Sequence, residues 1–295
     1  MKTHTRRTFF SRGIQAGAGL MSLRCAAGAP AQRTSRMRFG FTSYQWGSGW
    51  DVPTTIANCT KAKAFGVELR TSSNYAHGVE LSLPDGRRRE VKKRFADSPV
   101  KLVGIASGER FDWPDPAKLA AAIESAKGHV KLSQDVGGSG VRVFPNDFQK
   151  DVPREKTIEQ ISHVLNILGK YAADYGQQIR LENHGSLGTS LVALRKVMDG
   201  VDQPNVKIKL NGSLQEGEDF AQGFQLVKGL LGDTLHFHEL NRGDFPYQLQ
   251  SDLLIDMGWE GWWLLETSSK VPDGLQALIE QRGMWEGLIA KSLSR

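Results

Sequence analysis

What most constrains this chain is an alternation. Between residues 38 and 266, eight short apolar runs of β-type composition are separated by longer amphipathic stretches. The runs are 38–44, 66–69, 101–106, 140–144, 178–183, 206–210, 235–239 and 262–266, and the helical patterns between and after them include 116–134, 155–175, 187–198, 220–231 and 274–288. Alternating strands and helices make a parallel sheet, because each helix carries the chain back to start the next strand in the same direction. Eight units in about 260 residues predict a single-domain (β/α)8 barrel, a fold that takes roughly 250 residues. A doubly wound open sheet is the alternative, and would use fewer strands. No apolar run nears the ~20 residues that span a bilayer.

The N-terminus reads differently. Thr5-Arg6-Arg7-Thr8-Phe9-Phe10-Ser11 has the form of a twin-arginine export signal. A weakly apolar stretch follows over 13–23, and Ala29-Pro30-Ala31 is a small-x-small cleavage candidate. Residues 1–31 are thus expected to be an export signal, and 32–295 the barrel. Export by this route implies a folded, periplasmic or secreted protein that meets the twin-arginine machinery as a partner. Removal of the segment also changes the charge argument. The formal +6 contains five basic residues of 1–31, and the remainder holds 33 Lys and Arg against 32 Asp and Glu. A nearly neutral domain is a poor general binder of nucleic acid. Cys59 would be the one cysteine left, so no intramolecular disulfide is expected.

Residues two apart on a strand share a face. Arg180, Glu182 and His184 therefore share one face of the fifth strand, His236 and His238 one of the seventh, Glu68 and Arg70 one of the second, and Lys207, Lys209 and Asn211 one of the sixth. Arg142 belongs to the fourth strand and Glu266 ends the eighth. The intervening residues are mostly Leu, Val, Ile and Phe. A barrel interior built only for packing would hold branched apolar side chains. Buried charge must pair, bind metal or meet substrate, and strand C-termini form the active-site face of such barrels. A structural ion pair is the plain alternative for Glu68 with Arg70 or Arg142, and loop capping the plain alternative for His184. Gly137-Gly138-Ser139-Gly140 precedes a strand, so it reads as a helix stop and not as a phosphate cradle. Neither a nucleophile elbow nor a zinc-protease motif occurs. Among the tryptophans, Trp46 in the first strand–helix loop is the best candidate for stacking on a sugar ring.

Over residues 37–292 the chain resembles the xylose-isomerase-like sugar (phosphate) isomerase/epimerase superfamily. The resemblance is carried by Gly66-Val67-Glu68-Leu69-Arg70, Val141-Arg142-Val143-Phe144-Pro145, Leu181-Glu182-Asn183-His184-Gly185, His236-Phe237-His238 and Leu265-Glu266. It implies a divalent metal, often Mn2+, held by Glu182, Asn211, His238 and Glu266, with Asn211 standing where the family has Asp. It also implies proton transfer beside a carbonyl, with Glu182 and Glu266 as catalytic carboxylates. Glu68, Arg70, His77, Arg142, His184, His236, Arg242 and Trp46 would bind substrate. The amide at 211 removes one ligand charge, and Lys209, if inward, is placed to put its ammonium between Glu182 and Glu266. The implied activity is a sugar isomerase or epimerase acting on an unphosphorylated sugar. The alternatives are a 3-keto-glycoside lyase or hydrolase using the same enolisation, and a non-catalytic carbohydrate-binding barrel.

Overall fold

A computed structural model describes residues 33–295; the expected export signal over 1–31 lies outside the described residues. The chain alternates β1 (Arg36–Thr42), α1 (Val52–Lys61), β2 (Gly66–Arg70), α2 (Asp85–Ala96), β3 (Lys101–Arg110), α3 (Pro116–Val136), β4 (Gly140–Phe144), α4 (Arg154–Ala173), β5 (Gln178–Glu182), α5 (Gly185–Gly188), α6 (Leu191–Asp199), β6 (Val206–Lys209), α7 (Phe220–Val227), β7 (Thr234–Phe237), α8 (Tyr247–Asp256), β8 (Glu260–Leu265) and α9 (Gly274–Leu293). All eight strands are parallel, in the order β6-β5-β4-β3-β2-β1-β8-β7. The remaining seam, between β6 and β7, is bridged by Gly232 N–H to the Ile208 carbonyl at 2.8 Å and His236 N–H to the Leu210 carbonyl at 2.7 Å. The sheet is therefore a nearly closed (β/α)8 barrel, and the open doubly wound alternative is set aside.

Local chemistry explains the helix starts. Asp51, Asp115, Asp219 and Asp273 each accept main-chain N–H groups of the first turn of α1, α3, α7 and α9. Gly137 ends α3 in the left-handed conformation at φ 91°, as expected for a helix stop. One expected helix, over 187–198, is two. Ser190 breaks it by capping Ala193 N–H, while Glu218 takes the Ser190 hydroxyl and Leu191 N–H. No helix among the described residues is long and apolar enough to cross a membrane.

The apolar face of the strands packs under the helices: Val67, Leu69, Val141, Val143, Ile179, Leu181, Ile208, Leu235, Phe237 and Leu265 all belong to one buried shell. The barrel interior is different. Val103, Trp262 and Leu264 form a small apolar cluster of their own. Around it stand buried Glu68, Arg142, Arg180, Glu182, Lys209 and His236. A bulge between β2 and β3 pairs Val67 with Leu102 and Glu68 with Gly104, skipping Val103. The Val103 carbonyl then accepts from Arg180 Nη1 at 2.8 Å and Ser139 Oγ at 3.0 Å.

Candidate active site

The C-terminal ends of β2, β4 and β5, with the segments after β1, β5, β6, β7 and β8, enclose a pocket of about 220 Å³ lined by Tyr44, Arg70, Phe144, Glu182, His184, Asn211, Ser213, His238 and Glu266. Strand alternation puts Glu182 at the last position of β5 and Glu266 just past β8, both inward and buried. Their carboxylates are brought together by one side chain. Asn211 Nδ2 donates to Glu182 Oε1 at 2.6 Å and to Glu266 Oε2 at 2.9 Å. The amide is held in that orientation, because its Oδ1 accepts Gly212 N–H at 2.7 Å. Asn183 pins the segment further: its Oδ1 accepts Asn211 N–H and its Nδ2 donates to the Ser213 carbonyl at 2.7 Å. A Cβ at Gly212 would strike the Tyr247 hydroxyl, so glycine is required there. That hydroxyl also accepts His238 N–H at 2.8 Å.

Beneath the pocket lies a second polar layer. Glu68 Oε1 pairs with Lys209 Nζ at 2.6 Å, and Glu68 Oε2 with His236 Nε2 at 2.6 Å. Lys209 also reaches Thr234 Oγ1 at 3.3 Å, and His236 Nε2 lies 3.1 Å from Thr42 Oγ1. Burial alone would raise the Glu68 pKa, but Lys209 and His236 outweigh it and hold the carboxyl well below its usual range. His236 Nδ1 lies 3.5 Å from both Glu182 Oε2 and Glu266 Oε2. Burial and Lys209 oppose a charge on this imidazole, yet the three carboxylates prevail and its pKa is raised. Glu182 is likewise pushed up by burial and pulled down further, by Arg142 first and then His236, so that its pKa is lowered. Arg142 Nε lies 3.1 Å from Glu182 Oε2 without hydrogen-bond alignment, and its guanidinium carbon sits 4.1 Å over the Phe144 ring. No guanidinium nitrogen of Arg142 has a hydrogen-bond partner, nor has Glu182 Oε2 or His236 Nδ1.

Arg70 lines the wall, with Nη1 3.2 Å from Glu266 Oε1 and its guanidinium carbon 4.0 Å over the Tyr44 ring. Two histidines face it. His238 Nδ1 is 2.9 Å from the Glu266 main-chain carbonyl, and His184 Nδ1 is 3.1 Å from Asn146 Oδ1. A carbonyl accepts only, so each ring donates through Nδ1 and leaves Nε2 free toward the pocket. Such anchoring suits a metal ligand, and equally an acceptor for a substrate hydroxyl.

Glu182, Asn211, His238, Glu266, Arg70 and His184 thus all meet at one pocket, as their strand positions suggest. Glu68, Arg142 and His236 lie directly below it. Three expected substrate contacts are placed elsewhere. Trp46 spends its indole N–H on the Ser269 carbonyl at 3.0 Å, tying the loops after β1 and β8 together; Tyr44, two residues earlier, faces the pocket instead. His77 uses both ring nitrogens to brace the loop after β2, on the Arg70 carbonyl at 2.9 Å and Val79 N–H at 3.0 Å. Arg242 is held at the rim by Asp244 and Ser268. Lys209 points to Glu68, and the place between Glu182 and Glu266 belongs to the Asn211 amide. Tyr44, Phe144 and Ser213 escaped the sequence reading. Tyr44 lies just beyond the observed end of β1, and position parity from 42 would have placed it on the inward face.

Glu182, His236 and Glu266 could hold a metal ion: one ligand atom from each lies within 4.8 Å of the others. The fuller set with Asn211 and His238 does not fit a cation between the carboxylates. The amide presents N–H groups there, and turning it would set Nδ2 against Gly212 N–H.

Residues 56–286 match the xylose isomerase-like TIM barrel family. No curated protein matches the chain in sequence. Among solved structures it is similar to an L-ribulose 3-epimerase (TM-score 0.74, 18% identity, covering 87% of this chain and 95% of that one). It is similar also to the E. coli 3-keto-D-glucoside 4-epimerase YcjR (TM-score 0.72, 15%, 86% and 100%). A third is IOLI protein with a bound zinc atom (TM-score 0.72, 16%, 86% and 99%). With the barrel topology, the position of the pocket and the family match over most of its length in agreement, the chain belongs to the xylose isomerase-like TIM barrel family.

Proposed function

We propose that this protein is a sugar epimerase or isomerase that moves a proton at the carbon beside a carbonyl of an unphosphorylated keto-sugar. The observation that carries the reading is the pair Glu182 and Glu266, two buried carboxylates converging on one amide at the floor of a small pocket. Both sit at strand C-termini, where such barrels do their chemistry. A carbon placed above the amide is within reach of both groups: the ionised carboxylate takes the proton from one face, and the other, entering the cycle as the protonated acid, gives its proton to the opposite face. Atoms balance: the C–H bond breaks, its electrons enter the enediolate, and reprotonation at the same carbon gives the epimer, at the neighbouring carbon the isomer. Arg70 supplies donors for the carbonyl oxygen, where charge develops. His184 and His238, each anchored through Nδ1, present Nε2 to sugar hydroxyls. Phe144 and Tyr44 offer apolar faces to the ring.

The relatives in fold named as epimerases of L-ribulose and 3-keto-D-glucoside support this class of substrate. The reading asks nothing of Mn2+. Export through the twin-arginine route, resting on Thr5 to Ser11, favours extracellular, unphosphorylated sugars; the Arg6→Lys/Arg7→Lys double variant should retain the protein in the cytoplasm on fractionation. The activity test is incubation of purified protein with free ketoses and 3-keto-glycosides in D2O. Deuterium at carbon without cleavage is expected. Release of the aglycone would identify a lyase. If no candidate exchanges a C–H proton and Glu182→Gln still binds sugar like the parent, the protein is a carbohydrate-binding barrel and the catalytic reading fails.

A further inference from the structure

We infer that this active site works without a resident divalent metal, and that the Asn211 amide holds the two catalytic carboxylates together in the cation's place. The inference rests on the proton-transfer reading for the role of Glu182 and Glu266, and on geometry for the rest. Two carboxylates this close repel each other unless something positive lies between them. Here both N–H groups of one amide do so, at 2.6 and 2.9 Å. A cation at that point would face N–H hydrogens, which repel it.

The amide cannot simply turn to offer its oxygen. Oδ1 is engaged by Gly212 N–H, and a turned amide would put N–H against N–H at the 2.7 Å contact. The backbone cannot easily slide either, because Asn183 grips Asn211 and Ser213, and the Tyr247 hydroxyl fills the space beside Gly212. The charge is also already answered. Glu68 faces Lys209, Glu182 faces Arg142, and Glu266 faces Arg70. A divalent ion among Glu182, His236 and Glu266 would have to compete with the charges of Arg142 and Arg70 already facing those carboxylates. In the catalytic cycle this leaves the developing oxyanion to Arg70, a fixed cation on the pocket wall.

Metal content and thermal stability test this without any substrate. The full chain is produced with and without Mn2+ and Zn2+ in the medium, dialysed, and measured for bound metal and melting temperature with and without EDTA. The expected result is metal well below equimolar and a melting temperature unmoved by EDTA, Mn2+ or Zn2+. Asn211→Asp should bind one ion and gain roughly 5 °C on metal addition, the size expected of a ligand well above its Kd. Equimolar metal in the parent protein that Glu182→Gln strips would overturn the inference, as would a melting temperature that EDTA lowers by that amount. A folded Asn211→Asp that takes up no metal would overturn the role given to Asn211. If that variant does not fold, the measurements on the parent protein decide. Exchange of substrate C–H in D2O that persists in EDTA supports both readings. Failure of exchange with and without metal sinks the proton-transfer reading and leaves the metal measurements as they are.

Discussion

Arg142 and Arg180 are register partners on β4 and β5, both inward and both fully buried. Arg180 leans toward the strand starts. Its guanidinium donates to the Val103 carbonyl at 2.8 Å and Ser139 Oγ at 2.8 Å, and meets Asp233 at 2.9 Å. It fills the space that glycines at 104 and 140 leave open, since a Cβ at either would collide with it. Arg142 leans the other way, toward Glu182 and Phe144, and none of its guanidinium nitrogens makes a hydrogen bond. Leaving a buried guanidinium so poorly matched is costly. The same contrast separates the two carboxylate layers. Glu68 uses both oxygens on Lys209 and His236, whereas Glu182 Oε2 and His236 Nδ1 are left without a hydrogen-bond partner. Both oxygens of Glu68 are partnered; the atoms left over, on Arg142, Glu182 and His236 Nδ1, lie between Glu68 and the pocket.

The contrast can be broken by measurement. The largest effect should come from the upper layer, in rate. Glu182→Gln or Glu266→Gln should lower substrate C–H exchange by about 10²- to 10⁴-fold, the usual contribution of an acid–base group. Wild-type exchange in either variant would remove that carboxylate from the chemistry.

The next effect should come from the lower layer, in stability. Glu68→Gln leaves the Lys209 ammonium and His236 buried without their carboxylate, and should cost about 3–5 kcal/mol in denaturant unfolding. A near-native midpoint would show that this layer does not hold the barrel together.

The two arginines make the direct comparison. Arg180→Met abandons the Val103 carbonyl and Ser139, and should cost about 1–3 kcal/mol with exchange activity intact in the folded protein. Arg142→Met breaks no hydrogen bond, and should cost less stability than Arg180→Met while lowering kcat more than it raises KM. Equal behaviour of the pair would end the distinction.

The pH dependence is the smallest and most gradual effect. Glu68 and Glu182 have lowered pKa values, because Lys209, His236 and Arg142 outweigh their burial. A carboxyl depressed in the folded state contributes stability above its unfolded pKa of about 4.3 and loses it as pH falls through the folded value. The acid sensitivity carried by Glu68 and Glu182 should therefore appear below about pH 4 and be smaller in Glu68→Gln. A fall beginning near pH 6 would assign acid sensitivity to other groups.

Much of this was legible in the chain. Strand 140–144 agrees to the residue, and the others lie within a few residues of their expected bounds, because apolar alternation follows from local chemistry. The loop glycine run ended a helix as expected, through the left-handed Gly137. Strand parity groups Glu68, Arg142, Glu182 and His236 opposite the apolar residues, while the direction of Lys209 is left open by the sequence. Trp46 and His77 lie outside the pocket lining, with their polar atoms taken by loop main chain, which composition does not reveal.

The amino-acid sequence by itself determined the barrel, its register of inward charges and the meeting of Glu182 with Glu266 at one end, since each depends on periodicity along a strand. Only the tertiary structure decided which way each buried side chain leans and which partner it takes. Lys209 chose Glu68 across the barrel, and Arg142 and Arg180 parted in opposite directions. Asn211 turned its N–H groups to two carboxylates on different strands. These choices join residues tens of positions apart through distances of about 3 Å, and no pattern within a single strand encodes them.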